Sequence, residues 1–104
     1  MIRPLEYCEN LAHVRSSIDT IDYRILELIA LRKDYVAKAA DFKNSTEEVI
    51  AEERVNQMLK DRLELAKGFG LKASFVEGIF SDIVNYFINE ELNKFDEQQS
   101  ISNR

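Results

Sequence analysis

The sequence predicts an all-α fold: a three-helix protomer with a long first helix, paired with a second copy of itself. Three observations predict it. The chain has 104 residues, 45% hydrophobic and 32% charged, with only three Gly and one Pro, a composition rich in helix formers and poor in breakers. Apolar residues recur at alternating steps of three and four along three separate stretches. The first of these stretches is too long for a chain of this size to cover. A single domain spanning 1–104 follows, with a core over about 8–95 and a polar tail, 96–104, expected to fray.

In the first stretch Leu11, Val14, Ile18, Ile21, Ile25, Leu28, Arg32, Tyr35, Ala39 and Phe42 share one face, from about residue 9 to about 43, with no Gly or Pro inside. Residues 1–7, punctuated by Pro4, read as a lead-in. About 35 residues at about 1.5 Å each make a rod of roughly 50 Å. A globule of about 100 residues has a radius of gyration near 13 Å. The rod overhangs any monomeric core and leaves its apolar stripe bare. A second copy, related by a two-fold axis with the long helices side by side, is the simplest cover.

A polar stretch, Asn44 to Glu48, separates this helix from a second pattern whose face is Val55, Met58, Leu59, Leu63 and Ala66. It stops at Lys67-Gly68-Phe69-Gly70, a basic last turn followed by a glycine cap. Glu47 and Glu48 suit the start of this second helix, where negative charge meets the positive end of the dipole. The third helix opens near Ser74, which has capping-box spacing to Glu77, or at Lys72. Its stripe is Val76, Ile79, Phe80, Ile83, Val84, Phe87, Ile88, Leu92 and Phe95.

Several function classes are disfavoured. The net charge is −5 with no basic run, which argues against nucleic acid as a partner. No apolar run approaches 18 residues and no charged-then-apolar leader is present, so a soluble, cytoplasmic chain is expected. Cys8 stands alone, fits a reducing compartment and is expected to be a free thiol. His13 has no second ligand at metal spacing and is expected on the surface. Tyr35 and Tyr86 are expected in the core, with Tyr35 near any pocket.

The informative residues are charges that break the stripes. Arg32 falls where Leu28 and Ile25 predict an apolar residue, and Lys43, eleven positions on, points to the same side. Arg15 borders the stripe beside Val14, and Arg54 precedes Val55 and shares a face with Met58. Glu91 lies among Val84, Phe87, Ile88 and Phe95. A buried, unpaired charge costs several kcal/mol or more, so each needs a partner or a ligand. The bland alternatives are Arg15 with Asp19, Arg54 with Asp61 or Glu53, a buried Arg32–Glu91 bridge, and snorkelling stems. Four cations and one carboxyl together suggest a site for a dicarboxylate, which the planar guanidinium fork fits.

The segments Val14-Arg15-Ser16-Ser17-Ile18-Asp19, Leu31-Arg32-Lys33, Ala40-Asp41-Phe42-Lys43, Glu53-Arg54-Val55 and Phe75-Val76-Glu77-Gly78-Ile79-Phe80 resemble the all-helical (type II) chorismate mutases. The likeness runs from about Glu6 to Phe95. Within that family it is strongest to the isochorismate–pyruvate lyases of bacterial salicylate (siderophore) pathways, through Tyr35-Val36 and Met58-Leu59. The resemblance implies an intertwined homodimer with two equivalent sites and a pericyclic reaction that uses no metal, cofactor or nucleophile. It implies that Arg15 reaches a substrate carboxylate across the interface and that Arg32 holds a carboxylate within the chain. Lys43, at the mouth of a mobile stretch 43–50, would contact a carboxylate and the ether oxygen. Arg54 would support the site, and Val36, Val55, Met58 and Ile88 would line it. Catalysis would come from holding the reactive conformer and stabilising charge on the ether oxygen.

Two positions depart from the family pattern. Val55 stands where chorismate mutases of this type have a glutamate for the ring hydroxyl, which favours the lyase and leaves a 4-amino-4-deoxychorismate mutase open. Glu91 stands where the family has a glutamine that donates to the breaking ether bond. Only a protonated acid can donate, so activity is expected to need protonated Glu91 and to be greatest below neutral pH. The readings that follow are a lyase with weak mutase activity, a mutase, and a helical dimerisation module without catalysis.

Overall fold

The computed structural model describes the backbone of residues 1–102 and the side chains of residues 1–97. A 3-10 turn, Leu5–Tyr7, precedes α1 (Leu11–Ala40), α2 (Thr46–Ile50), α3 (Glu52–Gly68) and α4 (Ala73–Ser102). The all-helical expectation holds among the described residues, with one element added: Glu47 and Glu48, expected at the start of the second helix, lie in a separate helix of little more than one turn, α2. Backbone contacts divide the chain into two compact units, Met1–Val36 and the residues from Ala37 on, and α1 runs through the division.

In the first unit, the lead-in is tied to α1 where the Arg3 backbone N–H donates to Ser17 Oγ at 2.9 Å. Ser17 is the one buried residue of α1. The predicted stripe is open to solvent in the single chain: Leu11, Val14, Ile18, Ile21, Ile25, Leu28 and Tyr35 are all exposed, Leu28 to 64%. Tyr35, expected in the core, is exposed because it lies on this bare stripe.

In the second unit, α3 and α4 pack against each other and α2 packs on α4. The buried residues are those the periodicity selects: Met58 and Ala66 on α3, Val76, Val84 and Phe87 on α4, joined by Val49 on α2. Each such apolar side chain stabilises the fold by about 1.5–3 kcal/mol when fully buried. Tyr86 is exposed rather than buried, because it is one position off the stripe; its ring meets the edge of Phe87 at 5.2 Å between centroids.

The helix ends show the limits of spacing. α3 closes as expected: Leu71 N–H donates to the Ala66 carbonyl and Gly70 N–H to that of Lys67, with Gly70 at φ 71°. This is the Schellman arrangement, in which glycine takes the left-handed position without a Cβ penalty. At α4 the helix starts at Ala73 and its first bond runs from Val76 N–H to the Lys72 carbonyl. Ser74 is therefore inside the first turn, two residues past the cap position at Lys72. At its other end α4 continues past Phe95 to Ser102; of the tail expected to fray, residues 103–104 lie outside the described residues.

Candidate functional site

The end of α1 delivers one of the expected cations. Asp41, Phe42 and Lys43 donate their backbone N–H groups to the carbonyls of Lys38, Ala39 and Ala40, each at 3.1 Å. This i to i+3 spacing tightens the final turn. On the flank, Lys38 Nζ lies 3.7 Å from Asp41 and 5.9 Å from the Phe42 ring centroid. Lys43 turns inward, and its Nζ donates to Glu91 Oε2 at 3.0 Å. The Lys43 side chain is 23% exposed and that of Glu91 only 9%. Glu91 is one turn beyond Phe87 on the buried face of α4. A carboxylate this buried is tolerated because the ammonium answers its charge.

The chain after Lys43 is held by reciprocal capping. Ser45 Oγ accepts from the Glu48 N–H at 3.1 Å, and Glu48 Oε2 accepts from the Asn44 N–H. Glu48 therefore caps α2, while Glu47 lies in the same first turn. Val49 then buries against the second unit. Ala51 ends α2 and begins α3 in one residue: its N–H donates to the Glu47 carbonyl at 2.8 Å, its carbonyl accepts from Val55 N–H at 3.0 Å, and its φ is 46°. The stretch 43–50, the mobile mouth implied by resemblance, thus carries a capped helical turn.

The other expected site residues are distributed as follows. Arg15 is exposed on α1, and Arg32 and Val36 are half-buried on the same helix, all three in the first unit. In the second unit Val55 and Ile88 are half-buried and Met58 is buried. Arg54 is exposed in the first turn of α3 and lines an open groove with Glu47, Ile50, Ala51, Glu52 and Glu53. The described residues that line this groove include neither Lys43 nor Glu91. Among the described residues neither Arg15 nor Arg54 forms an ion pair within 4.0 Å. Asp61, a surface partner expected for Arg54, accepts from Gln57 instead. No cluster of acids, His and Cys among the described residues could hold a metal ion, and none of the described helices is long and apolar enough to cross a membrane.

The pair therefore sets one strong donor beside one acid on an apolar wall. As a carboxylate Glu91 can only accept, so Lys43 is the donor of the pair. Residues 14–92 match the model of the family described as chorismate mutase type II. The chain belongs to that family. It is 42% identical over 87 residues to an isochorismate pyruvate lyase of Pseudomonas aeruginosa, covering 84% of this chain and 86% of that protein. It is also 34% identical over 71 residues to a bifunctional chorismate mutase/prephenate dehydratase of Buchnera aphidicola, covering 67% of this chain but 18% of that longer protein. Members of the family are enzymes, and the all-helical chain fits among them.

Two functional-looking contacts escape a periodicity reading. Glu48 is assigned to the dipole by its charge, whereas its Oε2 closes a cap; Ser45-x-x-Glu48 spacing is the signal that marks it. His13 is half-buried rather than simply on the surface, and its ring bonds to the backbone at the start of α1.

Proposed function

We propose that this chain is an isochorismate pyruvate lyase with weak chorismate mutase activity. The identity to the Pseudomonas aeruginosa isochorismate pyruvate lyase over most of both chains carries this reading. In the reaction the ether C–O bond of isochorismate breaks as a ring hydrogen passes to the enolpyruvyl methylene, giving pyruvate and the aromatic ring of salicylate. Lys43 would stabilise the charge that grows on the ether oxygen, and protonated Glu91 would donate to that oxygen. Arg32 and the partner's copy of Arg15 would hold the two carboxylates, Arg54 would support them, and Val36, Val55, Met58 and Ile88 would shape an apolar wall.

The protomer would act as an intertwined homodimer. The exposed stripe of α1 supports this, because seven of its large apolar side chains, from Leu11 to Tyr35, face solvent in the single chain. The single cysteine suits a reducing cytoplasm, and the salicylate would enter siderophore biosynthesis.

A chorismate mutase is the second reading, favoured by the family match over residues 14–92; 4-amino-4-deoxychorismate is its variant substrate. The test supplies isochorismate and chorismate separately between about pH 5 and 8. Salicylate fluorescence from isochorismate is the expected result. Prephenate from chorismate with no salicylate would make the chain a mutase. Silence with both, and with the amino analogue, would leave a dimerisation module without catalysis.

A further inference from the structure

Two hydrogen bonds cross at the start of α1. Asn10 Oδ1 accepts from the His13 backbone N–H at 2.9 Å, and His13 Nδ1 accepts from the Glu9 backbone N–H at 3.1 Å. Leu11 is the first helical residue, so Asn10 is the cap and His13 the third residue of the helix, where a capping box has Glu or Gln. Ser45 and Glu48 make the same reciprocal arrangement at α2, with Glu48 reaching back to the Asn44 N–H. The back-bonding acceptor is a carboxylate in one cap and an imidazole nitrogen in the other.

That difference has a chemical consequence. A backbone N–H can only donate, so Nδ1 must keep its lone pair and the proton of the neutral ring is on Nε2. A second proton makes both ring nitrogens donors. Nδ1–H would then face the Glu9 N–H, and a positive charge would stand at the positive end of the α1 dipole. Imidazole is the side chain whose ordinary titration falls between pH 5 and 8, whereas a carboxylate keeps its acceptor throughout that range.

We propose that His13 is a proton-operated catch for the N-terminal segment: neutral, it helps to fasten residues 1–9 to α1, and protonated, it loosens them, leaving the Arg3–Ser17 tie to hold the segment alone. The charged side chains of the lead-in are Arg3, whose Nη1 lies 3.5 Å from the Tyr7 carbonyl, and the acids Glu6 and Glu9; Arg15 and Asp19 follow on α1. On the same face of α1, Asn10, Ser17 and Thr20 carry no charge; Asn10 Nδ2, also a donor, lies 3.5 Å from His13 Nε2, and the shorter 3.1 Å bond from the Glu9 N–H takes the one acceptor nitrogen of the neutral ring. The acids attract the imidazolium and the dipole opposes it, but neither gives the Glu9 N–H a new acceptor. The remaining tie is Arg3 N–H to Ser17 Oγ. Arg15 is two residues beyond His13, so on the reading proposed above the catch also governs the order of the turn that carries this arginine.

The chain has one histidine, so its imidazole signals are followed without overlap by NMR in the substrate-free protein. The expected result is that the backbone amide signals of Glu9 and His13 move with the same midpoint as the imidazole. Below that midpoint the heteronuclear NOE of residues 2–9 falls, with the frayed population rising about five- to tenfold, the order set by loss of one hydrogen bond. His13→Gln keeps an acceptor at every pH, so this variant retains an ordered lead-in and loses the transition. A wild-type lead-in equally ordered at pH 5 and 8, amide shifts that follow the carboxylates near about pH 4, or a transition that survives in His13→Gln would each overturn the proposal. The readout needs no turnover, so it is independent of whether the chain is a lyase.

Discussion

Lys43 and Glu91, 48 positions apart in the sequence, meet with Nζ 3.0 Å from Oε2. The cation comes from the tightened end of α1 and the acid from the buried face of α4, so the contact ties the connector to the helix bundle. On the proposed reading, a substrate carboxylate or ether oxygen would have to share that ammonium or take it.

Glu91→Gln places an N–H donor at this position at every pH. If Glu91 donates to the ether oxygen as proposed, only its protonated form can do so, and kcat/KM on isochorismate is expected to rise from about pH 8 toward about pH 5. The variant is expected to be flat over the same range and to exceed the wild type at pH 7.5 by roughly a hundredfold, the low end of the scale of one transition-state donor. A flat wild-type profile would remove the role given to the acid.

Lys43→Gln keeps much of the length and removes the charge. Glu91 is then left with its carboxylate mostly buried and its ammonium gone. Breaking a fully buried pair costs about 3–5 kcal/mol; Lys43 retains contact with water, at 23% exposure, so a loss nearer about 1–2 kcal/mol is expected in urea denaturation. Combining it with Glu91→Gln should recover most of that loss, because the stranded charge is gone. Turnover should stay low, by about 10²–10³-fold, in both the single and the double variant. Equal stability losses that simply add would mean that the pair is not coupled.

Leu28→Glu tests the bare stripe. Leu28 is 64% exposed in the single chain and lies mid-way along it. In the proposed dimer it is covered by the partner, where a carboxylate would be desolvated without an answering charge. Light scattering should show the wild type at twice the protomer mass and the variant at the protomer mass, with salicylate production lost as well. An active wild-type monomer at micromolar concentration would eliminate the shared site.

Gly70→Ala isolates the cap of α3. A Cβ at Gly70 would meet nothing within 4 Å, so its φ of 71° is the whole of the cost. Destabilisation of about 1–2 kcal/mol is expected, with kcat unchanged. A much larger loss in the denaturation midpoint would reveal packing that the open space around Gly70 does not contain.

The long helices are legible in the sequence because apolar spacing repeats over many turns; Met58, Ala66, Val76, Val84 and Phe87 are stripe positions and are buried. α2 is not legible by period, since five residues carry none, and only Ser45-x-x-Glu48 marks it. The stripe-breaking rule picks out Lys43 and Glu91 because a buried charge has to be answered. It cannot say which charge answers which, and it treats Arg54, exposed beside the α2–α3 joint, like the buried ones. Tyr35 and Tyr86 show the same limit for aromatics: hydrophobicity names candidates for burial, and only packing chooses among them.

Ala51 holds a left-handed backbone between two right-handed helices with no residue to spare on either side. A non-glycine residue there costs about 1–2 kcal/mol, and one pair of dihedral angles separates this joint from a single unbroken rod running from Thr46 to Gly68. Position 51 is therefore a dial. Glycine would ease it toward the bent form and a β-branched side chain toward the straight one, changing the reach of the segment that carries Lys43 while leaving every polar group of the site as it is.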